Sequence, residues 1–253
     1  MSAVKWLDSS RHAARDFELD GSARRVTGAL WLPEQVDAQT PLVLLGHGAS
    51  GDRYQTPIPY LSRRLVREAG CAAIAIDGPV HGLRQVGAGG REAFGAELAR
   101  EGFMEDMVTD WVEATAAVSA AEGLSQDNLG YFGLSMGTIF GVPLLASRLE
   151  FTVSVLGLCG TRGLGKQIGQ RLAEDAQQIT HPVLFLMQLE DELFPRDGYL
   201  ELFDALASDD KRLHANPGLH PEVPAEEMVA TFEFLRGRLH GGQSVTSSGP
   251  IAE

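Results

Sequence analysis

Five short runs of almost continuous apolar residues recur along the sequence. They cover residues 41–48, 71–78, 127–135, 151–158 and 181–188. Runs of this length without polar alternation are typical of strands buried on both faces of a parallel sheet. Residues 23–32 (ARRVTGALWL) instead alternate roughly between polar and apolar positions and stop at Pro33, which predicts an early antiparallel strand. Residues 211–218 (KRLHANPG) contain a last, short strand.

Helical periodicity separates these strands. Between residues 104 and 118, apolar residues follow one another at spacings of three and four, which places them on one face of a helix. Further helices are predicted over residues 58–69, 136–148, 195–207 and 221–239, with Pro195 and Pro221 in first turns, where proline is tolerated. The alternation predicts an α/β fold, a mostly parallel, doubly wound sheet with right-handed crossovers. In such sheets, functional residues lie in loops at the carboxyl ends of the strands.

Two connections limit what else this fold contains. Residues 78–101 form a long Gly-rich segment, and residues 159–180 leave room for about one short helix at 1.5 Å per residue. Residues 159–180 are therefore too short for a large lid domain, so we expect a minimal cap. We therefore expect a single domain over residues 1–240, followed by a flexible, polar tail over residues 241–253.

Composition and charge exclude several classes of partner. Acidic residues outnumber basic ones by 34 to 21, which gives a formal net charge of −13. This excess repels phosphate backbones and anionic lipid surfaces, so we expect binding to neither nucleic acid nor membranes. The N-terminal residues have no apolar signal-peptide core, and no apolar run is long enough to cross a bilayer, which indicates a cytoplasmic protein.

The two cysteines are not expected to carry chemistry. Cys71 and Cys159 both lie in apolar runs, which indicates buried free thiols rather than a disulfide. No cluster of cysteine and histidine has the spacing of metal ligands. A redox or metal protein is therefore not supported.

Residues 133–137 (GLSMG) form a G-x-S-x-G motif at the end of an apolar run. In this motif a tight strand-to-helix turn forces the serine into a strained conformation, and the glycines remove side chains that would clash there. The turn exposes the hydroxyl beside a helix N-terminus, which favours a developing oxyanion. Composition alone gives about 0.2 chance matches to the motif, so a structural Gly/Ser turn is the alternative. The strand-to-helix context favours Ser135 as a nucleophile.

Residues 44–51 (LLGHGASG) directly follow another apolar run. Small residues at this point allow the backbone to approach a substrate carbonyl and to present an N–H group. We expect the N–H of Ala49 to be one oxyanion donor, with Ser50 as the alternative, and the N–H of Met136 to be the other. His47 lies in the same turn and is interpreted as an anchor of the loop.

A base and a carboxylate that orients it would complete such a site. The loop after the apolar run 181–188 carries three adjacent carboxylates, of which Asp191 is our candidate; Glu190 and Glu192, or a merely solvated loop, are the alternatives. Among the seven histidines, His220 follows a strand and precedes a helix, which places it at the catalytic edge of the sheet. The chain order Ser135, Asp191, His220 is the one expected for this nucleophile turn.

An apolar acyl pocket is expected near the serine. Its candidate lining residues are His81, Phe94, Phe103, Leu193 and Phe194, with Met136 as a further candidate. Ordinary core packing is an equally good interpretation of each of them.

These motifs together resemble the α/β-hydrolase family. HGASG, AIDGPVHG, GLSMG, LEDELFP and PGLH occur in the family's order over about residues 25 to 240. The chain is most similar to the dienelactone-hydrolase-like and prolyl-oligopeptidase-like branches, which include small esterases. The resemblance implies a serine hydrolase that cleaves small acyl esters through a Ser–His–Asp triad and an acyl-enzyme, without a cofactor. Dienelactone hydrolases usually have cysteine where this chain has Ser135, which argues against a lactone substrate.

Two alternatives to an esterase remain open from the sequence. A peptidase, thioesterase or acyltransferase would use the same fold and the same three side chains, although the propeller domain of the related peptidases is absent. A non-catalytic binding module is less well supported, because such a module would tolerate loss of the serine, aspartate or histidine. The sequence leaves both a monomer and a homo-oligomer open.

Overall fold

In the computed structural model, residues 3–8, 11–147 and 149–241 are described, and they form one nine-stranded sheet with seven α-helices around it. The strands are β1 (Lys5–Trp6), β2 (Arg15–Asp20), β3 (Arg25–Trp31), β4 (Leu42–Gly46), β5 (Ala72–Ile76), β6 (Leu129–Leu134), β7 (Phe151–Gly157), β8 (Val183–Gln188) and β9 (Lys211–Asn216). The helices are α1 (Ile58–Ala69), α2 (Gly90–Leu98), α3 (Phe103–Glu122), α4 (Met136–Leu145), α5 (Lys166–Ala176), α6 (Arg196–Ala205) and α7 (Ala225–Leu239).

The strand order across the sheet is β1-β2-β3-β5-β4-β6-β7-β8-β9. The first three strands and β5 pair antiparallel, whereas β5, β4 and β6 to β9 pair parallel. The chain adds β5 on one side of β4 and then returns to add β6 on the other side. The carboxyl ends of β4 and β6 therefore flank a topological switch point, where α/β sheets bind their ligands.

The continuous apolar runs become central strands because both faces of the sheet are covered. In β4, Leu42 and Leu44 face one hydrophobic cluster, while Val43 and Leu45 face a second cluster on the opposite side. The first cluster packs against α3, α4, α5 and α6, and the second packs against α1 and α7. Helices on both faces confirm the predicted doubly wound α/β architecture.

Several element bounds agree with the sequence pattern and others differ. The helix predicted over residues 58–69 has those bounds in the structure, and residues 159–180 hold one short helix, α5. The last helix begins at Ala225 after Pro224, rather than at Pro221, because residues 217–224 form the turn that carries His220. The Gly-rich segment 78–101 contains α2, which the pattern does not predict.

Three other predictions concern single residues and segments. Cys71 and Cys159 are buried free thiols, as predicted. No helix in the described part of the chain is both long and apolar enough to span a membrane. The tail predicted over residues 241–253 lies, from residue 242 onward, outside the described residues.

Candidate active site

Ser135 occupies the sharp turn between β6 and α4. Its backbone φ is 56° and its ψ is −117°, an unusual conformation for a residue with a side chain. The turn is tight enough that a Cβ on Gly133 would lie 2.6 Å from the carbonyl oxygen of Gly137. The serine N–H donates to the Gly157 carbonyl at 2.9 Å, which ties the turn to β7. Strain at this turn is therefore held by the surrounding backbone.

A buried threonine also holds this turn. Thr138 is fully buried, and its Oγ1 lies 2.8 Å from the Gly133 carbonyl oxygen and 2.6 Å from that of Gly157. The same oxygen accepts the N–H of Gly157 at 2.9 Å. One hydroxyl thus joins the last residues of β6 and β7 beneath the serine. This residue could not be predicted, because a threonine three positions into a helix has no signal of its own in the sequence.

His220 lies between the serine and a carboxylate. Its Nε2 is 2.9 Å from Ser135 Oγ, and its Nδ1 is 2.7 Å from Asp191 Oδ2. The imidazole follows β9 and the carboxylate follows β8, two neighbouring parallel strands whose loops leave the same edge of the sheet. The side chain of Asp191 is fully buried and that of His220 is 12% exposed. The three side chains that the sequence analysis selected are in contact in the order hydroxyl, imidazole, carboxylate.

The two glutamates that compete with Asp191 do not reach the imidazole. Glu192 accepts the main-chain N–H of His220 at 2.9 Å, and Glu190 accepts that of Gly218. Both carboxylates therefore fasten the loop after β9 to the loop after β8. Their contacts are with the backbone, which leaves Asp191 as the carboxylate on the ring.

Asp191 accepts hydrogen bonds on both of its oxygens. Oδ1 accepts the N–H groups of Leu193 at 2.7 Å and Phe194 at 3.0 Å, and Oδ2 accepts the hydroxyl of Tyr199 in addition to the imidazole N–H. Burial acts to raise the pKa of Asp191, but these hydrogen bonds outweigh it and hold the pKa below its usual value. The carboxylate thus stays ionised at neutral pH. The sequence contained no signal for Tyr199.

The N–H groups predicted as oxyanion donors, those of Ala49 and Met136, would need to be free of partners in the fold. Met136 is the first residue of α4, where a helix leaves its N–H groups unbonded. The carbonyl oxygen of Gly48 accepts His47 Nδ1–H at 2.8 Å and the N–H of Gly51 at 3.3 Å. These contacts fix the orientation of the peptide between Gly48 and Ala49. Because the C=O and N–H of a trans peptide point in opposite directions, the N–H of Ala49 points away from the groups that the Gly48 carbonyl accepts. Ala49 and Ser135 both line the central cavity.

Two buried histidines hold the loop after β4. His47 donates from Nδ1 to the Gly48 carbonyl, and its Nε2 accepts the N–H of Gly78 at 2.7 Å, which requires a neutral ring. Burial lowers the pKa of His47 to about 4. The Nε2 of His81 is 3.0 Å from the Ala49 carbonyl, and its Nδ1 is 2.6 Å from that of Pro79. His47 thus has the anchoring contacts that its place in the sequence indicated.

A cavity of about 1220 Å³ opens above Ser135 and His220. Four of the residues predicted for an acyl pocket line it, namely His81, Phe94, Leu193 and Phe194. The ring of Phe194 also stacks on the imidazole, with 5.7 Å between ring centroids and 29° between planes. The cavity therefore has an apolar wall beside Ser135 and His220.

Two other pocket candidates lie elsewhere. Phe103 is 8% exposed, begins α3 and packs edge-on against Phe140 in the core, with 6.0 Å between ring centroids. The side chain of Met136 is 2% exposed and packs against Gly78, below the turn that carries the serine. Both side chains belong to the buried core cluster on one face of the sheet. The prediction of Phe103 as a pocket residue is therefore wrong.

Comparisons with known proteins give likenesses to solved structures alone. Neither a protein-family model nor a curated protein matches the sequence. The chain is similar to a zinc-bound structure of a cold-adapted esterase from an Arctic intertidal metagenomic library, with 36% identity and a TM-score of 0.76 over 93% of this chain and 99% of that chain. A PEG-bound esterase complex from an Arctic intertidal metagenomic library gives 32% identity and a TM-score of 0.75, over 92% and 99% of the two chains.

A more distant structure has the same fold. The acetyl xylan esterase from Paenibacillus sp. R4 is 17% identical, with a TM-score of 0.72 over 94% of this chain and 88% of that chain. At this identity the likeness concerns the fold alone. The match to the Arctic esterase, by contrast, combines substantial identity with nearly full coverage of both chains.

Proposed function

The chain belongs to the esterases of the α/β-hydrolase family, and on that premise we propose that it hydrolyses small carboxylic esters through an acyl-enzyme formed on Ser135. The observation that carries the proposal is the 2.9 Å contact between Ser135 Oγ and His220 Nε2, with the opposite ring nitrogen on the buried Asp191. That arrangement gives the imidazole a free lone pair directed at the serine hydroxyl.

In the first step, Ser135 Oγ attacks the ester carbonyl carbon and its proton passes to His220 Nε2. The negative charge that develops on the carbonyl oxygen is held by the N–H groups of Ala49 and Met136. A donor in such a position is worth about 3 kcal/mol to the transition state. The tetrahedral intermediate then collapses, and the proton on Nε2 passes to the departing alkoxide, so that an alcohol leaves.

In the second step, water attacks the acyl-enzyme. His220 takes a proton from the water, the same two N–H groups hold the second oxyanion, and collapse of the intermediate returns a proton to Ser135 Oγ. A carboxylic acid is released. Asp191 remains ionised throughout and stabilises the imidazolium that forms in each step.

The test is the loss of both activity and labelling in Ser135→Ala. We expect hydrolysis of p-nitrophenyl butyrate to fall by several orders of magnitude and a fluorophosphonate probe to label the wild-type chain on the peptide that contains Ser135. Ser125→Ala is the matched control, since its hydroxyl bonds to Asp127 before β6, at the opposite edge of the sheet. Unchanged hydrolysis in Ser135→Ala would end the proposal. Matched ester, thioester and anilide substrates distinguish an esterase from a thioesterase or peptidase.

A further inference from the structure

Tyr199 contacts the same oxygen of Asp191 that binds the catalytic imidazole. Its hydroxyl donates to Oδ2, and the Nδ1–H of His220 donates to that atom at 2.7 Å. Among the described residues, these two side chains are the ones that contact Oδ2. The other oxygen, Oδ1, is occupied by two backbone N–H groups. Tyr199 is therefore the side chain that shares the carboxylate with the ring.

The phenol of Tyr199 is held in one position. The residue is fully buried on α6, and its ring packs edge-on against Phe185 and Phe194, with centroid separations of 6.3 Å and 6.2 Å. Phe194 in turn stacks on the imidazole of His220. Burial, reinforced by the hydrogen bond to the carboxylate, raises the pKa of Tyr199 far above its ordinary value, so the hydroxyl remains a donor at every working pH.

A donor on Oδ2 changes the electrostatic interaction between the carboxylate and the imidazole. The O–H bond draws negative charge away from the oxygen that accepts Nδ1–H, so a doubly protonated ring gains less from the carboxylate. Removal of that donor should therefore strengthen the interaction between the carboxylate and the protonated imidazole. The same bond also fixes the rotation of the carboxylate about its Cβ–Cγ bond.

We propose that Tyr199 is a positioning residue of the site, which sets both the direction and the charge of the Asp191 carboxylate and, through it, the pH at which His220 acts as a base. This inference rests on the proposed function of the three side chains. It adds a fourth member, on α6, that does not touch the substrate.

Other titratable groups face the pair but do not contact Oδ2. Glu192 accepts the main-chain N–H of His220, and Glu190 and Glu222 accept main-chain N–H groups of the same turn. The thiol of Cys159 lies near Asp191, but burial raises its pKa and it donates to the Gly160 carbonyl. None of these groups can therefore replace the hydroxyl as a donor to the carboxylate.

The experiment compares the pH dependence of kcat/KM for p-nitrophenyl butyrate in the wild-type chain and in Tyr199→Phe. We expect the acidic limb to move to higher pH by about half a unit, which lowers kcat/KM on that limb about threefold. A merely structural role would lower the rate at all pH values without moving the limb. Tyr54→Phe is the control, because it also removes a hydroxyl from a buried carboxylate, Asp16, at 2.5 Å. Its limb should stay in place.

Two further measurements keep the inference testable. The low-field proton resonance of His220 Nδ1–H, assigned by its absence in His220→Ala, should titrate at higher pH in Tyr199→Phe whether or not the chain hydrolyses esters. Failure of the proposed function is thus distinguishable from failure of this inference. If Tyr199→Phe does not fold, site-specific 3-fluorotyrosine at position 199 supplies a stronger donor and should move the limb to lower pH. An unmoved limb and resonance in a folded variant would overturn the inference.

Discussion

Asp191→Asn tests the role of the carboxylate with almost no change in shape. The amide oxygen of asparagine can keep the two backbone N–H groups of Leu193 and Phe194, which Asp191 Oδ1 now accepts at 2.7 Å and 3.0 Å. The amide NH₂ group then takes the place of Oδ2. It would face two donors, the ring N–H of His220 and the hydroxyl of Tyr199, where the carboxylate oxygen now accepts both.

The imidazole must respond by changing its tautomer. With a donor opposite Nδ1, the ring keeps its proton on Nε2, and Nε2–H then points at Ser135 Oγ instead of a lone pair. A ring in this state cannot take the serine proton. In a serine hydrolase triad this change leaves the geometry intact and lowers kcat by about four orders of magnitude, or roughly 5 kcal/mol of barrier.

The assay is kcat for p-nitrophenyl butyrate, with burst kinetics to separate acylation from release of the acid. Glu190→Gln and Glu192→Gln are matched controls, because each makes the same change in an adjacent carboxylate whose partner is a backbone N–H. The amide oxygen of glutamine can still accept that N–H, and even loss of one such hydrogen bond costs about 1 kcal/mol, so these variants should lose about tenfold at most. A kcat of a tenth of the wild-type value in Asp191→Asn, or an equally large loss of kcat in Glu192→Gln, would refute this role for Asp191.

Two predictions concern stability. In Gly137→Ala the new Cβ would lie 2.6 Å from the carbonyl oxygen of Gly46, so the free energy of unfolding should fall by about 1–3 kcal/mol in urea titrations. Gly237→Ala is the control, because the space around its Cβ is open, and it should be neutral or slightly stabilising. Equal effects of the two variants would contradict the steric argument. Burial lowers the pKa of His47 to about 4 in the folded chain, against 6.5 for a free imidazole. Between those pH values the unfolded chain binds a proton that the folded chain does not. The free energy of unfolding should therefore decrease as the pH falls, by up to about 3 kcal/mol. The difference in unfolding free energy between wild type and His47→Asn should therefore shrink on acidification. A difference that is independent of pH would contradict this role of the buried imidazole.

The central sheet was predictable because burial on both faces leaves a direct mark on the sequence. Each inner strand is apolar at most of its positions, so its run stands out without any knowledge of its neighbours. The two strands at the amino-terminal end of the sheet, β1 and β2, leave no such mark. In β2 (RDFELD) the burial alternates imperfectly, and β1 has two residues, so neither contains a detectable period. The helix α2 is similarly hidden, since Gly90 and Gly95 lower the helix propensity of its nine residues.

The site was predictable where chemistry depends on position along the chain, and not where it depends on packing between elements. A nucleophile turn, a carboxylate loop and a histidine turn each follow a strand, so their meeting at one edge could be expected from the order of the elements. The contact of Tyr199 with Asp191 depends on how α6 is rotated over the loop after β8. The prediction of Phe103 as a pocket residue failed for a related reason, because the sequence does not show whether an aromatic residue faces the pocket or the core.

The register of the sheet explains why three distant residues meet at the serine. β6 and β4 pair with Gly133 opposite Gly46, so the nucleophile turn and the loop that holds Ala49 leave the sheet at the same level. β8 and β9 pair with Gln188 opposite Asn216, so Asp191 and His220 also leave together. Since β7 lies between the two pairs, the imidazole can reach the hydroxyl only over the end of β7. That strand ends at Gly157, and the next residue adopts a left-handed conformation with φ of 51°, which turns the chain out of the strand direction at that level.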